Sequence, residues 1–358
     1  MTTNRLYDTW LKRITQLRPH ERVTRRINLV WLMIGLYQSH SVHLSRIASK
    51  IPGQAVALSN QQRLGRWLKN PAVRVRDWYG PIATELVQAV AACIGEVRLI
   101  ADGSKVGFGH QLLVVSLAFR RRAIPLVWTW VKGSTGHSSS SKQLALLAYV
   151  RRLIPTGTPV LLVGDSEFGA MAVLAQLDAW QWKYVLRQRA SHGVLLPGQT
   201  TWQTFGSLVQ HPGQSRWVEG ALLTGRSAYP TNLLAYWAPG EEEPWLLATN
   251  LSGQGETLHA YRRRMWVEEM FGDMKAHGFD LEKTHLRHFL RLSRLMLAVA
   301  LLYVWLIAAG TNAIKRGQRR LVDRNDRRDL SIFQIGWRII DRWLTNGMDI
   351  RVILRPYP

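Results

Sequence analysis

The stretch from Val97 to Arg189 constrains the fold most, because strand-like and helix-like runs alternate along it. Three β-type runs come first: VRLIADGS, QLLVVSLAFRR and AIPLVWTWVK. A helical stretch and a buried strand (PVLLVGD) follow, and then a short helix and a last strand (KYVLRQR). Three consecutive strands followed by alternating helix and strand predict an α/β fold built on a mixed sheet.

The helical patterns of residues 1–92 predict an α-helical N-terminal region. Two short helical runs, SVHLSRIASKIP and LSNQQRLGRWLKN, lie around a Pro-Gly break, and the second carries arginines and a tryptophan. This arrangement resembles a helix-turn-helix, so we expect the region to bind DNA. Short helical pairs are also common in proteins without that function, and this alternative stays open.

Residues 189–256 are strand-like and rich in Gly, Pro and Trp. They predict a mostly β insertion with a sheet of its own, which divides the α/β core into residues 93–188 and 257–312. Residues 313–358 contain the basic run KRGQRRLVDRNDRRD and end in a helical pattern. We therefore expect a basic helical C-terminal tail.

The apolar run from Leu295 raises the question of a membrane. It extends for about fifteen residues before Gly310, short of the roughly 20 that a bilayer-spanning helix needs. The run therefore predicts a buried helix, and no membrane partner is expected.

The chain carries 47 Lys and Arg residues against 24 Asp and Glu, a formal net charge of +23. Such an excess in a sequence with a large apolar fraction favours a polyanionic partner, most simply nucleic acid. A ribosome-like or membrane-surface protein is the alternative. The single cysteine, Cys93, cannot form an internal disulfide, and the N-terminal stretch lacks the apolar run of a signal peptide. We expect a cytoplasmic location.

Two aspartates stand at the ends of apolar strand-like runs: Asp102 ends VRLIAD, and Asp165 ends PVLLVGD. If the two strands are neighbours, both carboxylates lie at one edge of the sheet, which is a common place for functional groups. The alternative is that each aspartate caps a turn.

A third acid comes from YRRRMWVEEMFGDMK, residues 261–275. On a helix of 100° per residue, five positions share an arc of about 80°: Tyr261, Arg264, Glu268, Gly272 and Lys275. Glu269 falls with the solvated charges, so Glu268 is the candidate of the pair. The alternative is a plain i,i+4 ion pair between Arg264 and Glu268, worth roughly a few tenths of a kcal/mol.

Three carboxylates at one point repel each other unless cations neutralise them. Two divalent ions about 4 Å apart do so and also activate water for attack on a phosphodiester. Mg²⁺ suits carboxylate ligands, and Tyr261, Arg264 and Lys275 on the same face could hold phosphate oxygens. The residues indicate phosphodiester chemistry on nucleic acid.

The spacing Tyr261-(2)-Arg264-(3)-Glu268-(6)-Lys275 matches in full the Y-(2)-R-(3)-E-(6)-K signature of a large family of bacterial insertion-sequence transposases. IADGS around Asp102 and LLVGDSEFG around Asp165 resemble that family's two aspartate motifs, in the expected order. The resemblance covers roughly residues 97 to 310. It implies a cut-and-paste DDE enzyme with an RNase H-like fold and a mostly β insertion.

The resemblance also implies roles for these residues. The implied catalytic and metal-binding residues are Asp102, Asp165 and Glu268. They would bind two Mg²⁺ ions, for which Mn²⁺ can substitute. Tyr261, Arg264 and Lys275 would grip DNA near the cleaved end. The implied partners are transposon ends with inverted repeats, target DNA, and a second copy of the chain in a homodimer, in the nucleoid-associated cytoplasm of a bacterium.

In relatives of that family, a tryptophan of the insertion stacks on a flipped base, and PWLLATN places Trp245 in the matching context. Trp202, Trp217 and Trp237 are rivals for this role, and a core tryptophan on a strand is the alternative. Many members carry an arginine directly after the second aspartate, where this chain has Ser166. One expected phosphate contact is therefore missing.

These expectations describe a transposase that cuts its element's ends and joins the 3′-OH to target DNA, with a hairpin as one route for the second strand. The alternatives are an RNase H-like structure-specific endonuclease and a domesticated, non-catalytic DNA-binding regulator. The intact acids and Lys275 argue against the regulator.

Overall fold

The structure is a computed structural model that describes residues 2–133, 138–223, 228–324 and 326–357. The chain divides into two compact units. The helical unit consists of Met1–Leu86, Lys105–His110 and Phe271–Pro358, and the sheet unit consists of Val87–Ser104 and Gln111–Met270.

Ten strands of the described residues form one mixed sheet, in the order β3-β2-β1-β4-β5-β10-β9-β8-β6-β7. Their bounds are β1 Val97–Val106, β2 His110–Phe119, β3 Arg122–Lys132, β4 Val160–Gly164, β5 Lys183–Arg187, β6 Gly193–Leu195, β7 Gln203–Thr204, β8 Ser215–Leu223, β9 Tyr229–Tyr236 and β10 Trp245–Thr249. Strand β4 lies parallel to both β1 and β5, whereas β10 is antiparallel to β5 and to β9. The predicted α/β fold with a mixed sheet is confirmed.

The strands between residues 189 and 256 continue this sheet. Strand β10 pairs with β5, with Leu247 opposite Arg187, and β9, β8, β6 and β7 follow outwards. The prediction of a separate sheet is therefore wrong. Without β10, strand β5 would leave a row of backbone groups unpaired, and the returning strand satisfies them.

Five helices contribute to the sheet unit: the second part of α5 (Val75–Ile94), α6 (Ser140–Arg151), α7 (Met171–Ala179), α8 (Gln254–Tyr261) and the start of α9 (Trp266–Met274). Helix α6 packs on β3, α7 on β5, and α8 on β4 and β5. All five residues of β4 are buried, as expected of a parallel strand that is covered on both faces.

The helical unit is built around one long apolar helix, α10 (Phe289–Lys315). The other helices of this unit are α1 (Thr2–Leu17), α2 (Val23–Ser39), α3 (Leu44–Ala48), α4 (Ala57–Lys69), the first part of α5, and α11 (Ile332–Thr345). By length and composition alone α10 could cross a membrane, but 89% of its apolar window is buried within the chain. Helices α2, α4 and α11 pack on it, which is typical of a central core helix.

One arginine of α10, Arg294, is buried and donates hydrogen bonds to two backbone carbonyl oxygens. Arg294 donates to the carbonyl oxygen of Leu68 at 2.7 Å and to that of Val73 at 3.0 Å. Leu68 lies in the last turn of α4, where carbonyl groups have no partner within the helix. The buried cation therefore caps α4 rather than serving a ligand.

Helices α10 and α11 cross closely because a glycine of each faces the backbone of the other. A Cβ added at Gly336 would overlap the carbonyl oxygen of Leu306, and one at Gly310 would overlap that of Ile332. Only glycine permits this approach.

We expect Gly336→Ala to lower the free energy of unfolding by about 2–3 kcal/mol, because two packed helices must move apart. Gly65→Ala is the matched control, since Gly65 is also inside a helix (α4) but has open space around its Cβ position. That variant should gain up to about 1 kcal/mol from helix propensity. Urea unfolding of both variants measures the difference, and equal effects would mean that the helix crossing tolerates a side chain.

Candidate active site

The parallel pairing of β1 and β4 brings two aspartates side by side. Ala101 pairs with Gly164 in this register, so Asp102 and Asp165 follow at the same level of the sheet. The backbone N–H of Asp165 donates to the carbonyl oxygen of Ala101 at 3.3 Å. The two acids thus lie side by side where the β1–β4 pairing ends, as the sequence predicts if the strands are neighbours. Asp165 directly follows β4, but β1 continues to Val106, so the prediction that Asp102 ends its strand is wrong.

The region that carries the third acid is divided into three pieces. Helix α8 ends at Tyr261, a 3₁₀ turn covers Arg262–Met265, and α9 begins at Trp266. The prediction of one continuous helix is therefore wrong at this turn. The apolar face predicted for α9 is present, because Val267, Met270 and Met274 are fully buried.

The guanidinium of Arg264 connects all three acids. Its Nη2 lies 3.0 Å from Asp102 Oδ2 and 3.9 Å from Asp165 Oδ2, and its Nη1 lies 2.7 Å from Glu268 Oε1. The Asp102 side chain is 4% exposed, Asp165 30% and Glu268 48%. The structure therefore gathers Asp102, Asp165, Arg264 and Glu268 into one cluster that is buried at one end and open at the other.

The neighbouring glutamate points elsewhere. Glu269 Oε2 pairs with Arg122 Nη1 at 2.9 Å, and its side chain is 58% exposed. The helical spacing correctly separates the two glutamates, even though the continuous helix used to derive it is interrupted before Trp266.

Burial has the largest effect on the ionisation of Asp102. It raises the pKa of Asp102 to about 7, against the lowering effect of Arg264, while the charge of Asp165 raises it further. The backbone N–H of Gly103 donates to Asp102 Oδ1 at 2.7 Å and stabilises the ionised form. Near neutral pH, Asp102 is therefore divided between its protonated and ionised forms, and a further cation beside it would favour the ionised form.

Two further predicted site residues pack on each other. The rings of Trp245 and Tyr261 meet edge to face with centroids 5.1 Å apart. Tyr261 is 2% exposed, its hydroxyl is buried without a hydrogen-bond partner among the described residues, and burial raises its pKa. Trp245 is half-buried at the start of β10.

The rival tryptophans have other surroundings. Trp202 is 42% exposed. Trp217 donates through Nε1 to Glu219, and Trp237 donates to the carbonyl oxygen of Glu241. Of the four, Trp245 is the one in ring contact with a residue of the Tyr-Arg-Glu-Lys signature, within the part of the chain that the structure describes.

Lys275 directly follows the last residue of α9 and belongs to the helical unit. Its backbone N–H donates to the carbonyl oxygen of Phe271 at 2.9 Å, which extends the helical path by one residue. Burial lowers the pKa of its ammonium group, and Glu282 opposes that effect.

The central part of the chain matches a known protein family. The family model described as the transposase DDE domain matches residues 126–305, which is 180 of the 358 residues and just over half of the chain. The chain belongs to the transposase DDE domain family. A solved structure, titled as the piggyBac transposase synaptic complex with hairpin DNA, is similar with a TM-score of 0.47 and 10% identity, over 99% of this chain and 83% of that one. No curated protein matches.

The family match contains Asp165, Trp245, Arg264, Glu268 and Lys275 and begins after Asp102. The position of Asp102 beside Asp165 therefore follows from the β1–β4 pairing and not from the family match. The narrower resemblance to insertion-sequence transposases with the Tyr-Arg-Glu-Lys signature stays a prediction.

DDE transposase domains generally use divalent metal ions, and the chemistry of the three carboxylates suits such ions. Three carboxylates face one guanidinium, so ionisation of all three leaves two negative charges without a counter-ion. Carboxylate oxygens are the ligands that Mg²⁺ prefers. Within the described residues, no three potential ligands are close enough to share a metal ion directly. Arg264 stands between the acids in the position where a cation is needed.

This central role of Arg264 was missed from sequence, where the residue is predicted as a phosphate ligand. The i,i+4 spacing to Glu268 is a local signal for the first ion pair. The contacts to Asp102 and Asp165 depend on strand pairing between distant parts of the chain.

Proposed function

We propose that this chain is a DNA transposase that cuts the ends of its element and joins the freed 3′-OH to target DNA. The observation that carries the proposal is the convergence of Asp102, Asp165 and Glu268 on one guanidinium, in a chain of the transposase DDE domain family. The net positive charge of +23 suits a DNA partner.

The three carboxylates are the proposed ligands of two Mg²⁺ ions, for which Mn²⁺ can substitute. When bound, such ions polarise phosphoryl oxygens and lower the pKa of water. The chain's own contribution is to hold two acids on neighbouring strands and a third on α9 around one guanidinium, so that little reorganisation would accompany the reaction.

The proposed reaction has two steps at phosphorus. In the first, a water oxygen bonds to the phosphorus at the element's end as the bond to the 3′-oxygen breaks, which leaves a 3′-OH and a 5′-phosphate. In the second, this 3′-oxygen bonds to a target phosphorus and releases the target's own 3′-OH. Each step exchanges one ester or water oxygen for another at phosphorus, so strand joining needs no external energy source.

Tyr261, Arg264 and Lys275 are the proposed contacts to DNA near the cut. Arg264 already binds carboxylates through both terminal nitrogens, so it would have to exchange at least one of them for a phosphate oxygen. Trp245 is the proposed stacking partner of a flipped base. The buried ring of Tyr261 packs edge to face against the Trp245 ring and would hold it in position. This stacking is our reason to propose a hairpin route for the second strand.

The architecture and the assembly of the protein are also proposals. The three consecutive strands β1–β3 and the parallel strands β4 and β5 support an RNase H-like core. We also propose that the helical residues 1–92 bind the inverted repeats, and that two copies of the chain hold two ends in the cytoplasm of a bacterium.

The test uses a DNA fragment that carries the reading frame's natural flanks, incubated with the purified protein and Mg²⁺ or EDTA. We expect nicks at one defined position per end, only with the divalent ion, and covalent joining of the 3′ ends to an added plasmid. A denaturing gel should also show a strand of double length if the second strand is cut through a hairpin. Its absence in a reaction that cuts both strands would remove the hairpin route.

Two outcomes contradict the proposal. Cutting without preference for the flanks and without joining would identify a structure-specific endonuclease. Binding to the flanks without cutting in Mg²⁺ or Mn²⁺ would identify a DNA-binding regulator.

A further inference from the structure

An exposed aromatic residue stands at the tip of the turn between β1 and β2. The phenyl ring of Phe108 is 61% exposed, and glycines with positive φ flank it, Gly107 at 58° and Gly109 at 72°. The side chain adds nothing to the core. An apolar ring kept in water in this way commonly marks a contact with a partner.

The turn is fixed in place rather than loose. The backbone N–H of Gly107 donates to the carbonyl oxygen of Glu282 at 3.0 Å, and a Cβ at Gly107 would lie 2.9 Å from the carbonyl oxygen of Thr284. The two ring nitrogens of His110 lie 2.9 Å from the carbonyl oxygens of Phe108 and Arg287. The backbone that carries Phe108 is therefore held in place, which lowers the entropy cost of ordering the turn on binding.

The segment that holds the turn is basic and exposed. Residues 282–291 read EKTHLRHFLR, with three Lys or Arg residues against one acid. The Arg287 guanidinium lies 5.7 Å from the centre of the Phe108 ring, and the His285 ring meets that ring edge to face at 5.7 Å. Leu290 lies in the same segment, three residues after Arg287, and is 68% exposed.

An aromatic face beside a guanidinium suits one chemistry in particular. A nucleobase has a flat π-face that stacks on phenyl, while its phosphates are attracted to arginine and lysine. An apolar protein surface would use Phe108 and Leu290 but would gain nothing from Lys283 and Arg287. The charge around the ring therefore favours DNA over a protein partner.

We propose that Phe108 stacks on an unpaired base of bound DNA, with Arg287 on the adjoining phosphate. Lys283 pairs with Asp280 at 3.2 Å and would exchange that carboxylate for a phosphate oxygen. The inference rests on the proposed function in one respect, that DNA is the partner. It assigns a base-stacking site in the helical unit, on residues that the Tyr-Arg-Glu-Lys signature and the aspartate motifs do not include.

The test compares two DNA duplexes in EDTA, so that binding is measured without cleavage. One carries a single unpaired 2-aminopurine as a bulge, and the other is fully paired with the same flanking sequence. We expect the wild-type protein to prefer the bulged duplex and to quench its fluorescence. Phe108→Ala should reduce affinity for the bulged duplex by about 5- to 100-fold, with little change for the paired duplex.

Three variants distinguish base stacking from a plain apolar contact. Phe108→Trp should retain the preference and the quenching, whereas Phe108→Leu should lose most of both, because leucine is apolar but has no π-face. Leu321→Ala removes another exposed apolar side chain of the same unit, 41% exposed, and should change neither.

The inference is overturned if Phe108→Ala keeps the preference for the bulged duplex or loses affinity equally for the two duplexes. It is also overturned if Phe108→Leu keeps the wild-type preference and quenching. It is also overturned if Phe108→Ala converts a dimer to a monomer in sedimentation, since the ring would then bind a second copy of the chain. If the wild-type protein binds neither duplex, the DNA partner of the proposed function fails as well. Failure of the stacking site alone leaves binding of the paired duplex intact.

Discussion

Glu268→Gln should abolish cleavage of the element's ends, with a loss on the order of 10³-fold or more, whereas Glu269→Gln should cut at nearly the wild-type rate. The two residues are adjacent in α9, and their side chains are 48% and 58% exposed. Glu268 reaches the guanidinium that also binds Asp102 and Asp165, while Glu269 pairs with Arg122. Loss of one proposed metal ligand removes several kcal/mol of transition-state stabilisation.

The pair forms its own control, because both substitutions remove one charge and keep the size of the side chain. Initial rates of nicking in Mg²⁺ measure the effect, and binding to the uncut ends in EDTA should be similar for both variants. If Glu269→Gln loses cleavage and Glu268→Gln retains it, the assignment of the acid is wrong. If both variants cut normally, the cluster around Arg264 is not the active site.

Asp102 and Asp165 could be found from sequence because the signal is local. VRLIAD and PVLLVGD each show an apolar strand that ends in an aspartate. Whether the two strands touch depends on pairing between distant segments, and only the register of Ala101 with Gly164 decides it. The sequence therefore predicts which acids form the site only if the two strands are neighbours, and the structure shows that they are.

The strands of the insertion also show that sequence patterns do not reveal which strands pair. Residues 189–256 have strand patterns that local reasoning recognises, but such patterns do not name their partners. The pairing of Leu247 with Arg187 joins the insertion to the core sheet. The backbone groups of a strand can hydrogen-bond to any sheet edge with unpaired N–H and C=O groups. The same strand patterns are therefore compatible with one continuous sheet or with two sheets.

The region from Tyr261 to Met274 is an intermediate case. Helical periodicity correctly predicts the buried residues Val267, Met270 and Met274 and the exposure of Glu269. The 3₁₀ turn at Arg262–Met265 was not predicted, because arginine and methionine are good helix formers and give no break signal. The turn determines where Arg264 points, and so the role of this residue required the structure.

The stability of the metal-free protein should depend strongly on Arg264 and on pH. Asp102 is 4% exposed, and Arg264 is the cation paired with it among the described residues. Breaking a buried ion pair by removing one partner typically costs about 3–5 kcal/mol. We expect Arg264→Gln to lower the free energy of unfolding by that amount in EDTA at about pH 8. Arg187→Gln is the control, because its partner Glu243 is 78% exposed and such surface pairs contribute about 1 kcal/mol or less.

The pH dependence has a definite sign. The pKa of Asp102 is raised from an ordinary value of 3.8 to about 7 in the folded chain, chiefly by burial. Between these values the unfolded chain has lost a proton that the folded chain retains, so stability falls as pH rises through that window. The decrease attributable to Asp102 is up to about 4 kcal/mol, and it should be complete slightly above pH 7.

Asp102→Asn separates the two effects, since asparagine keeps the shape of the side chain without its charge. In EDTA this variant should lose most of the decrease between about pH 4 and pH 7. Adding Arg264→Gln to it should cost much less than Arg264→Gln costs alone, and a double-mutant cycle in urea measures that coupling. If the two substitutions are additive, Arg264 is not the counter-ion of Asp102. If the stability of Asp102→Asn depends on pH in the same way as that of the wild type, Asp102 has no raised pKa in the folded protein, and the charge balance inferred for the metal-binding cluster is wrong.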